Sequence, residues 1–422
     1  MEKDIDLIFN GFFRYKSKRF YAEEKAVEDI AKKYGTPCYI YSYQSLLSRI
    51  KKFKEAFSGI DTLICYSVKA NSNLSILKII KEHGLGADVV SGGELRRALI
   101  AGFSPKKIVF AGVGKKDEEI ALAIKKNIYC FNIENEEEIA LIEKYARKYR
   151  RKVLCNIRLN LDIDVDTHHY VKTSKKETKF GLDINSASRI LKNNRDNRYI
   201  EIKGFHLHLG SQLKDVQPYV KALESVKHFC REIKFKPEII DLGGGFGIPY
   251  SPEDKVKDIE DFGVAIKEKI KDIGAQIFIL EPGRYIVGNT AVLLCSVLYV
   301  KRRQEKNFVI VDAGMNDLIR PAFYGSYHII LPAKQGRVQN YIKADIVGPI
   351  CETGDYLGKD VVIPADIKKG DLLVIGSAGA YCFSMSSNYN TRPRPCEIMV
   401  KRNRDIVIRK REKYDDLWKG EL

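Results

Sequence analysis

The sequence predicts an α/β chain in which a (β/α)8 barrel of the TIM type, residues 37–284, is followed by an all-β domain, residues 285–422. Three observations carry that expectation. The chain has 422 residues and 45% hydrophobic content, too long for one ordinary core and apolar enough for two. Up to residue 284, eight short runs rich in β-branched residues alternate with amphipathic, charged stretches. From residue 285 the helical period fades and strand patterns follow one another through turns.

In chain order, residues 1–36 carry no barrel signal and are expected to pack with the β domain, while "YGTPCYIYSY" at 34–43 reads as a strand leading into the barrel. The eight runs are "DTLICYSV" at 61, "GADVV" at 86, "KIVFAG" at 107, "IYCFNI" at 128, "VLCNIRLN" at 153, "IKGFHLHLG" at 202, "EIIDLGGG" at 238 and "QIFILEPG" at 276. Helical patterns such as "LSILKIIKEHG" and "GELRRALIAG" lie between them. Eight parallel strands with eight crossovers make a closed barrel; the rival is a doubly wound open sheet. The count of eight favours the barrel, as do the polar residues gathered at the C-terminal ends of the runs. The β domain is read from "TAVLLCSVLYVKRR", "NFVIVDAG", "YIKADIVG", "DVVIPAD" and "DLLVIGSAG".

The formal charge is +17, from 72 basic and 55 acidic residues. The basic residues alternate with acids, as in "KKDEEIALAIKK", which describes solvated helix faces rather than a nucleic-acid surface. Nine cysteines with no CxxC pair suggest neither a disulfide framework nor a zinc site, no metal is expected, and a reducing cytoplasm fits. "MEKDIDLIFNGFF" is too acidic and too briefly apolar for a secretion signal, and no run is long enough to span a membrane.

The chemistry gathers at the run ends. Lys69, in "YSVKAN", closes the first run, on the barrel face where active sites are built, and a partly buried lysine there can act as a carbonyl-reactive amine. "HLHLGSQ" closes the sixth run, "DLGGGFG" the seventh and "EPGR" the eighth. Consecutive glycines let backbone N–H groups approach an anion, and loops after strands seven and eight are the usual phosphate site of such barrels. A lysine, a glycine cradle and a strand-end acid together suggest pyridoxal phosphate. Glu281 would face the ring nitrogen and keep it protonated.

With "YSVKAN", "GADVVSGGEL", "GFHLHLGSQ", "DLGGGFG", "EPGR", "DAGMNDLIRPAFYGSYH", "CETGD" and "GAYCFSMSSNYNTRPRP" in register from about residue 35 to 396, the chain resembles the diaminopimelate decarboxylases of the alanine-racemase-like fold group. The resemblance implies roles at the matching positions. Lys69 would hold pyridoxal phosphate covalently, and His208 would stack on its ring. Ser211, Gly245 and the Glu281, Pro282, Gly283 and Arg284 stretch would hold phosphate and ring. Tyr381 would add a hydroxyl to the phosphate and border the substrate. Arg158 and Asp88 would lie near the ring. Arg284, Arg320 and Tyr324 would grip the distal carboxylate of the substrate, and Glu352 its distal ammonium. Cys351 would return a proton to the substrate carbon after carbon dioxide leaves. The resemblance also implies a homodimer in which Cys351 and Glu352 serve the partner's site.

Two arginines suited to bidentate binding of a carboxylate favour a diacid over a diamine, which agrees with meso-2,6-diaminopimelate as substrate and L-lysine and CO2 as products. The alternatives are a decarboxylase of the same fold acting on carboxynorspermidine, arginine or ornithine, or a non-catalytic pyridoxal-phosphate-binding protein. Thr353 stands where the family usually has serine, and Leu161 and His169 where it often has prolines.

Overall fold

The computed structural model describes residues 2–161, 178–335 and 340–421; His169 lies outside the described residues. The chain divides into a unit of Ile50–Gly247 and Val256–Tyr285 and a unit of Met1–Arg49, Ile248–Lys255 and Ile286–Leu422.

From the N-terminus, β1 (Phe13–Lys16), β2 (Arg19–Ala22) and β3 (Lys25–Ala26) form a small antiparallel sheet, and β4 (Cys38–Ser42) follows the helix Val27–Tyr34. The barrel strands are β5 (Thr62–Ser67), β6 (Gly86–Val89), β7 (Ile108–Phe110), β8 (Cys130–Ile133), β9 (Val153–Arg158), β10 (Ile200–His206), β11 (Ile239–Asp241) and β12 (Ile277–Leu280). Every neighbouring pair is parallel, and β12 pairs with β5, so the sheet closes. All eight strands fall on the eight apolar runs. They read as continuous because parallel strands under a helical coat are buried on both faces.

The eighth crossover differs from the expectation. Among the described residues, seven helices of at least nine residues link consecutive barrel strands, from Leu74–Glu82 to Ile259–Ile270. The eighth covering element comes from before β5: in the helix Tyr43–Ala56, Phe53 packs on Phe246 and Tyr285. The bare face of Gly263 admits this helix, since a Cβ there would stand 2.2 Å from the Ala56 carbonyl oxygen.

In the second unit the long β13 (Ala291–Lys301) is the hub. It pairs with β4, with β14 (Asn307–Val311) and with a later strand, Leu372–Ile375. Between these come β15 (Ile330–Pro332), β16 (Tyr341–Val347) and β17 (Tyr356–Pro364), so that Leu372–Ile375 is β18; β19 (Cys396–Lys401) and β20 (Arg404–Arg409) complete the set. The strand order is β17-β16-β14-β13-β4-β19-β20, with β18 joining β13 to β15. The run Cys38–Ser42 therefore does not lead the barrel but sits between β13 and β19, and is buried throughout because a central strand is covered on both sides. The N-terminal residues share this unit's core: Ile5, Ile8, Phe9, Phe13 and Phe20 cluster with Val292, Leu294, Val374 and Ile398.

Candidate active site

Parallel register lines up the last residues of the barrel strands. Ser67 stands beside Asp88, Asn132 beside Asn156, Arg158 beside His206, and His206 beside Asp241. Six of the eight strands, β5, β6, β8, β9, β10 and β11, thus present a polar group at or near their ends. Many of these groups bond to one another, while Asp88 Oδ1, Asn156 Oδ1 and both ring nitrogens of His206 are buried with no hydrogen-bond partner among the described residues.

Lys69 lies in the short 3-10 turn after β5, and its ammonium is 2.7 Å from Oδ2 of the fully buried Asp88. Ser67 Oγ donates to the same oxygen at 2.6 Å. Burial, then the charge of Glu281, raise the Asp88 carboxyl, while Lys69 opposes them. Glu281 follows β12, is 1% exposed and has His206 Nε2 at 3.4 Å. Burial works to raise its carboxyl, but His206 and Lys69 outweigh it and carry Glu281 well below the usual carboxylate range. Arg158 is committed to Glu134 at 2.5 Å and lies over the Phe180 ring.

His208 is half-buried and accepts from the Gly244 backbone N–H at Nδ1, 3.3 Å away. Burial, reinforced by Arg158 and Lys69, pushes its imidazole well below the ordinary value, so the ring is neutral. The glycine run is demanded by space and by backbone. A Cβ on Gly244 would lie 2.2 Å from the Glu281 carbonyl oxygen, and Gly245, at φ +103°, would place one 2.5 Å from the Gly210 carbonyl oxygen. Gly283 faces Ser67 and Ala70 in the same way. Buried Arg284 donates from Nη2 to Ser211 Oγ at 2.8 Å, and Ser67 N–H donates to the Pro282 carbonyl. Of the residues named from the sequence, Lys69, Asp88, Arg158, His208, Ser211, Gly245 and Glu281 to Arg284 therefore all belong to the barrel unit, at its strand ends.

The remainder belong to the second unit. Arg320 and Tyr324 share the short helix Arg320–Tyr324. Arg320 is buried, its guanidinium lies over the Tyr250 ring at 4.6 Å, and Nη1 is 2.8 Å from His328 Nε2. His328 Nδ1 is 2.8 Å from the Gly376 carbonyl, which can only accept. Nδ1 therefore carries the proton, and Nε2 offers its lone pair to Arg320. Cys351, Glu352 and Thr353 are exposed, on a turn anchored by buried Asp355, whose carboxylate accepts from Met315 N–H and Ile350 N–H. Cys351 N–H donates to Asn390 Oδ1 at 2.7 Å. Tyr381 has a left-handed backbone, φ +58°. Sequence reasoning missed His328, although "YGSYH" was in view, and it missed Asn132, Asp241 and Asn390. The polar letters inside apolar runs were the available signal for Asn132 and Asp241.

The family model described as pyridoxal-dependent decarboxylase, pyridoxal binding domain, matches residues 43–288. The diaminopimelate decarboxylase of Aquifex aeolicus is 42% identical over 410 residues, covering 96% of this chain and 96% of that protein. The crystal structure of Helicobacter pylori diaminopimelate decarboxylase complexed with L-lysine superposes with a TM-score of 0.89 at 39% identity, covering 94% of this chain and 99% of that one. That of the M. jannaschii diaminopimelate decarboxylase in co-complex with L-lysine gives 0.92 at 34% identity, covering 98% of both. Closed barrel, glycine cradle, strand-end lysine and full-length similarity converge: the chain belongs to the diaminopimelate decarboxylase family of pyridoxal-dependent decarboxylases.

Proposed function

We propose that the protein decarboxylates meso-2,6-diaminopimelate to L-lysine and CO2 with pyridoxal phosphate, the last step of lysine biosynthesis. The observation that carries the chemistry is the Lys69–Asp88 pair at the same strand-end level as the buried anion Glu281. The donor set fits the cofactor: a lysine amine, a neutral imidazole, a carboxylate, and a glycine cradle that a Cβ would fill, beside a hydroxyl and a guanidinium. When bound, pyridoxal phosphate supplies an electrophilic carbonyl and a ring that accepts the electron pair left by departing carbon dioxide.

The chain's own groups do the rest. Lys69 Nζ would hold the carbonyl end of the cofactor, and Asp88, 2.7 Å away, would take or return its proton. Glu281 would hold the ring nitrogen protonated, and His208, neutral, would cover the ring. Ser211, Gly245 and the 281–284 backbone, with the Tyr381 hydroxyl, hold the phosphate. Arg284, Arg320 and Tyr324 bind the far carboxylate, Glu352 the far ammonium, and Cys351 Sγ delivers a proton to the α-carbon. A preformed guanidinium at Arg320 favours a substrate with a distal carboxylate over ornithine. The exposed turn of Cys351 and Glu352 supports a homodimer with shared sites, and nine unbridged cysteines suit a reducing cytoplasm. Among the described residues no helix is long and apolar enough to cross a membrane.

The test is direct. Borohydride reduction of the yellow protein followed by peptide mass mapping should place the cofactor on Lys69; finding it on Lys78 or Lys81 overturns the assignment. Carbon dioxide release should be fast from diaminopimelate and slow from ornithine, and equal rates would remove the distal-carboxylate specificity.

A further inference from the structure

Three buried acids share the interior of the barrel end: Asp88, Asp241 and Glu281 are each 1% exposed or less. Asp88 faces the Lys69 ammonium at 2.7 Å and Glu281 faces His206 at 3.4 Å. Asp241 is met by neutral donors: Gly243 N–H to Oδ1 at 2.9 Å and Asn132 Nδ2 to Oδ2 at 2.9 Å. The same Asn132 nitrogen lies 3.3 Å from Glu281 Oε1, so one amide bridges the two carboxyl groups. Asn156 Nδ2 donates to Asn132 Oδ1 at 3.2 Å, which fixes which end of that amide points at the acids.

Two carboxylates this close in a dry interior cannot both hold a charge. The His206 ring nitrogen Nε2 meets the Glu281 carboxylate at 3.4 Å, whereas the Asp241 carboxyl, although its backbone pairs with that of His206, is met by the neutral donors of Gly243 and Asn132, so the proton belongs to Asp241. We propose that Asp241 is kept as a neutral carboxylic acid and, with Asn132, acts as a positioning residue that holds the Glu281 carboxylate ionised and aimed. This deepens the assignment of Glu281 to the ring nitrogen and rests on it for its catalytic consequence. Burial, then the charge of Glu281, push the Asp241 carboxyl well above the carboxylate range, in agreement with the geometry. Lys69 and His208 also favour the charged form of Glu281, while the thiols of Cys65 on β5 and Cys130 on β8 are raised by burial and by these acids and are neutral.

The test separates the two claims. An acid whose folded pKa is raised gives stability that is fully present below its unfolded pKa of about 4 and is lost as pH rises towards its folded pKa. Asp241→Asn removes that loss. The melting temperature of the Asp241→Asn holoenzyme, relative to the parent, should therefore climb between pH 5 and pH 8. A difference that falls or stays flat as pH rises overturns the neutral-acid assignment. For the positioning role, Asp241→Asn, which retains a neutral hydrogen-bonding group, should keep kcat within about threefold, while Asp241→Ala should lose tenfold or more in kcat with little change in KM. Equal losses in the two variants overturn positioning. Glu281→Gln tests the underlying assignment separately: it should retain cofactor by absorbance but lose turnover, and full turnover there would refute the ring-nitrogen role while leaving the melting result intact.

Discussion

Arg320 shows how much a single side chain depends on what fixes it. Its guanidinium is buried, lies over Tyr250 and leans on the lone pair of His328, whose tautomer is set by the Gly376 carbonyl. The side chain is thus ordered before any substrate arrives, which lowers the entropy lost on binding. Arg320→Ala should cut kcat/KM for diaminopimelate by roughly 30- to 150-fold, the equivalent of about 2–3 kcal/mol for a lost charge-assisted hydrogen bond. His328→Ala should raise KM by about tenfold while kcat moves little, because it loosens a binding group rather than a reacting one. In the double variant, His328→Ala should add almost nothing to Arg320→Ala; full additivity would show that the histidine acts elsewhere. The lysine, the arginines and the cysteine stood out as candidates because their neighbouring letters form recognisable motifs. His328, Asn132 and Asp241 were not, since their work is done on another side chain 8 to 149 residues away in sequence.

At the scale of elements, the eight strands were readable and their partners were not. A strand buried on both faces advertises itself as an apolar run, whichever sheet it joins. Cys38–Ser42 carries that signature, but nothing in it says that its neighbours are β13 and β19. The short β15, Ile330–Pro332, was missed because it lacks a β-branched run and ends on a proline, a residue depleted in strands. The glycine loop after β11 was legible as a loop, and the reason for each glycine is now visible. Gly244→Ala forces a methyl against the Glu281 carbonyl, a backbone atom that cannot swing aside. It should destabilise the protein by about 1–3 kcal/mol through overpacking and weaken pyridoxal phosphate binding, read by melting temperature and by absorbance titration. A variant with parental stability and cofactor affinity would show that the loop yields more freely than its spacing suggests.

At the scale of the molecule, assembly is what a single chain leaves to be tested. Cys351 is the exposed one among nine cysteines, and Glu352 beside it is also exposed. For the role proposed for it, returning a proton to a carbanion, the Cys351 thiol is poorly placed in open solvent, and a partner subunit would enclose it. Lys69→Ala and Cys351→Ala chains, each inactive, are to be dissociated, mixed in equal amounts and reassembled. With sites shared across a twofold axis, half the dimers are mixed and each mixed dimer has one intact site, so about a quarter of parental activity should return. If each cysteine serves its own chain, every site keeps a defect and mixing restores nothing.

The position of β4 has a consequence during synthesis. Its hydrogen-bonding partners β13 and β19 emerge from the ribosome only after the whole barrel has been made. At about 5–20 residues per second, the roughly 250 intervening residues take on the order of 12 to 50 seconds. For that interval a five-residue apolar segment, Cys38–Ser42, has no native neighbour on either edge. The barrel sequence is available to fold first, while the N-terminal strand waits as an adhesive ribbon that chaperones or a second nascent chain can capture. Successive ribosomes on one message would hold unpaired copies of the same strand side by side, and the yield of native protein should fall where those copies are left unshielded.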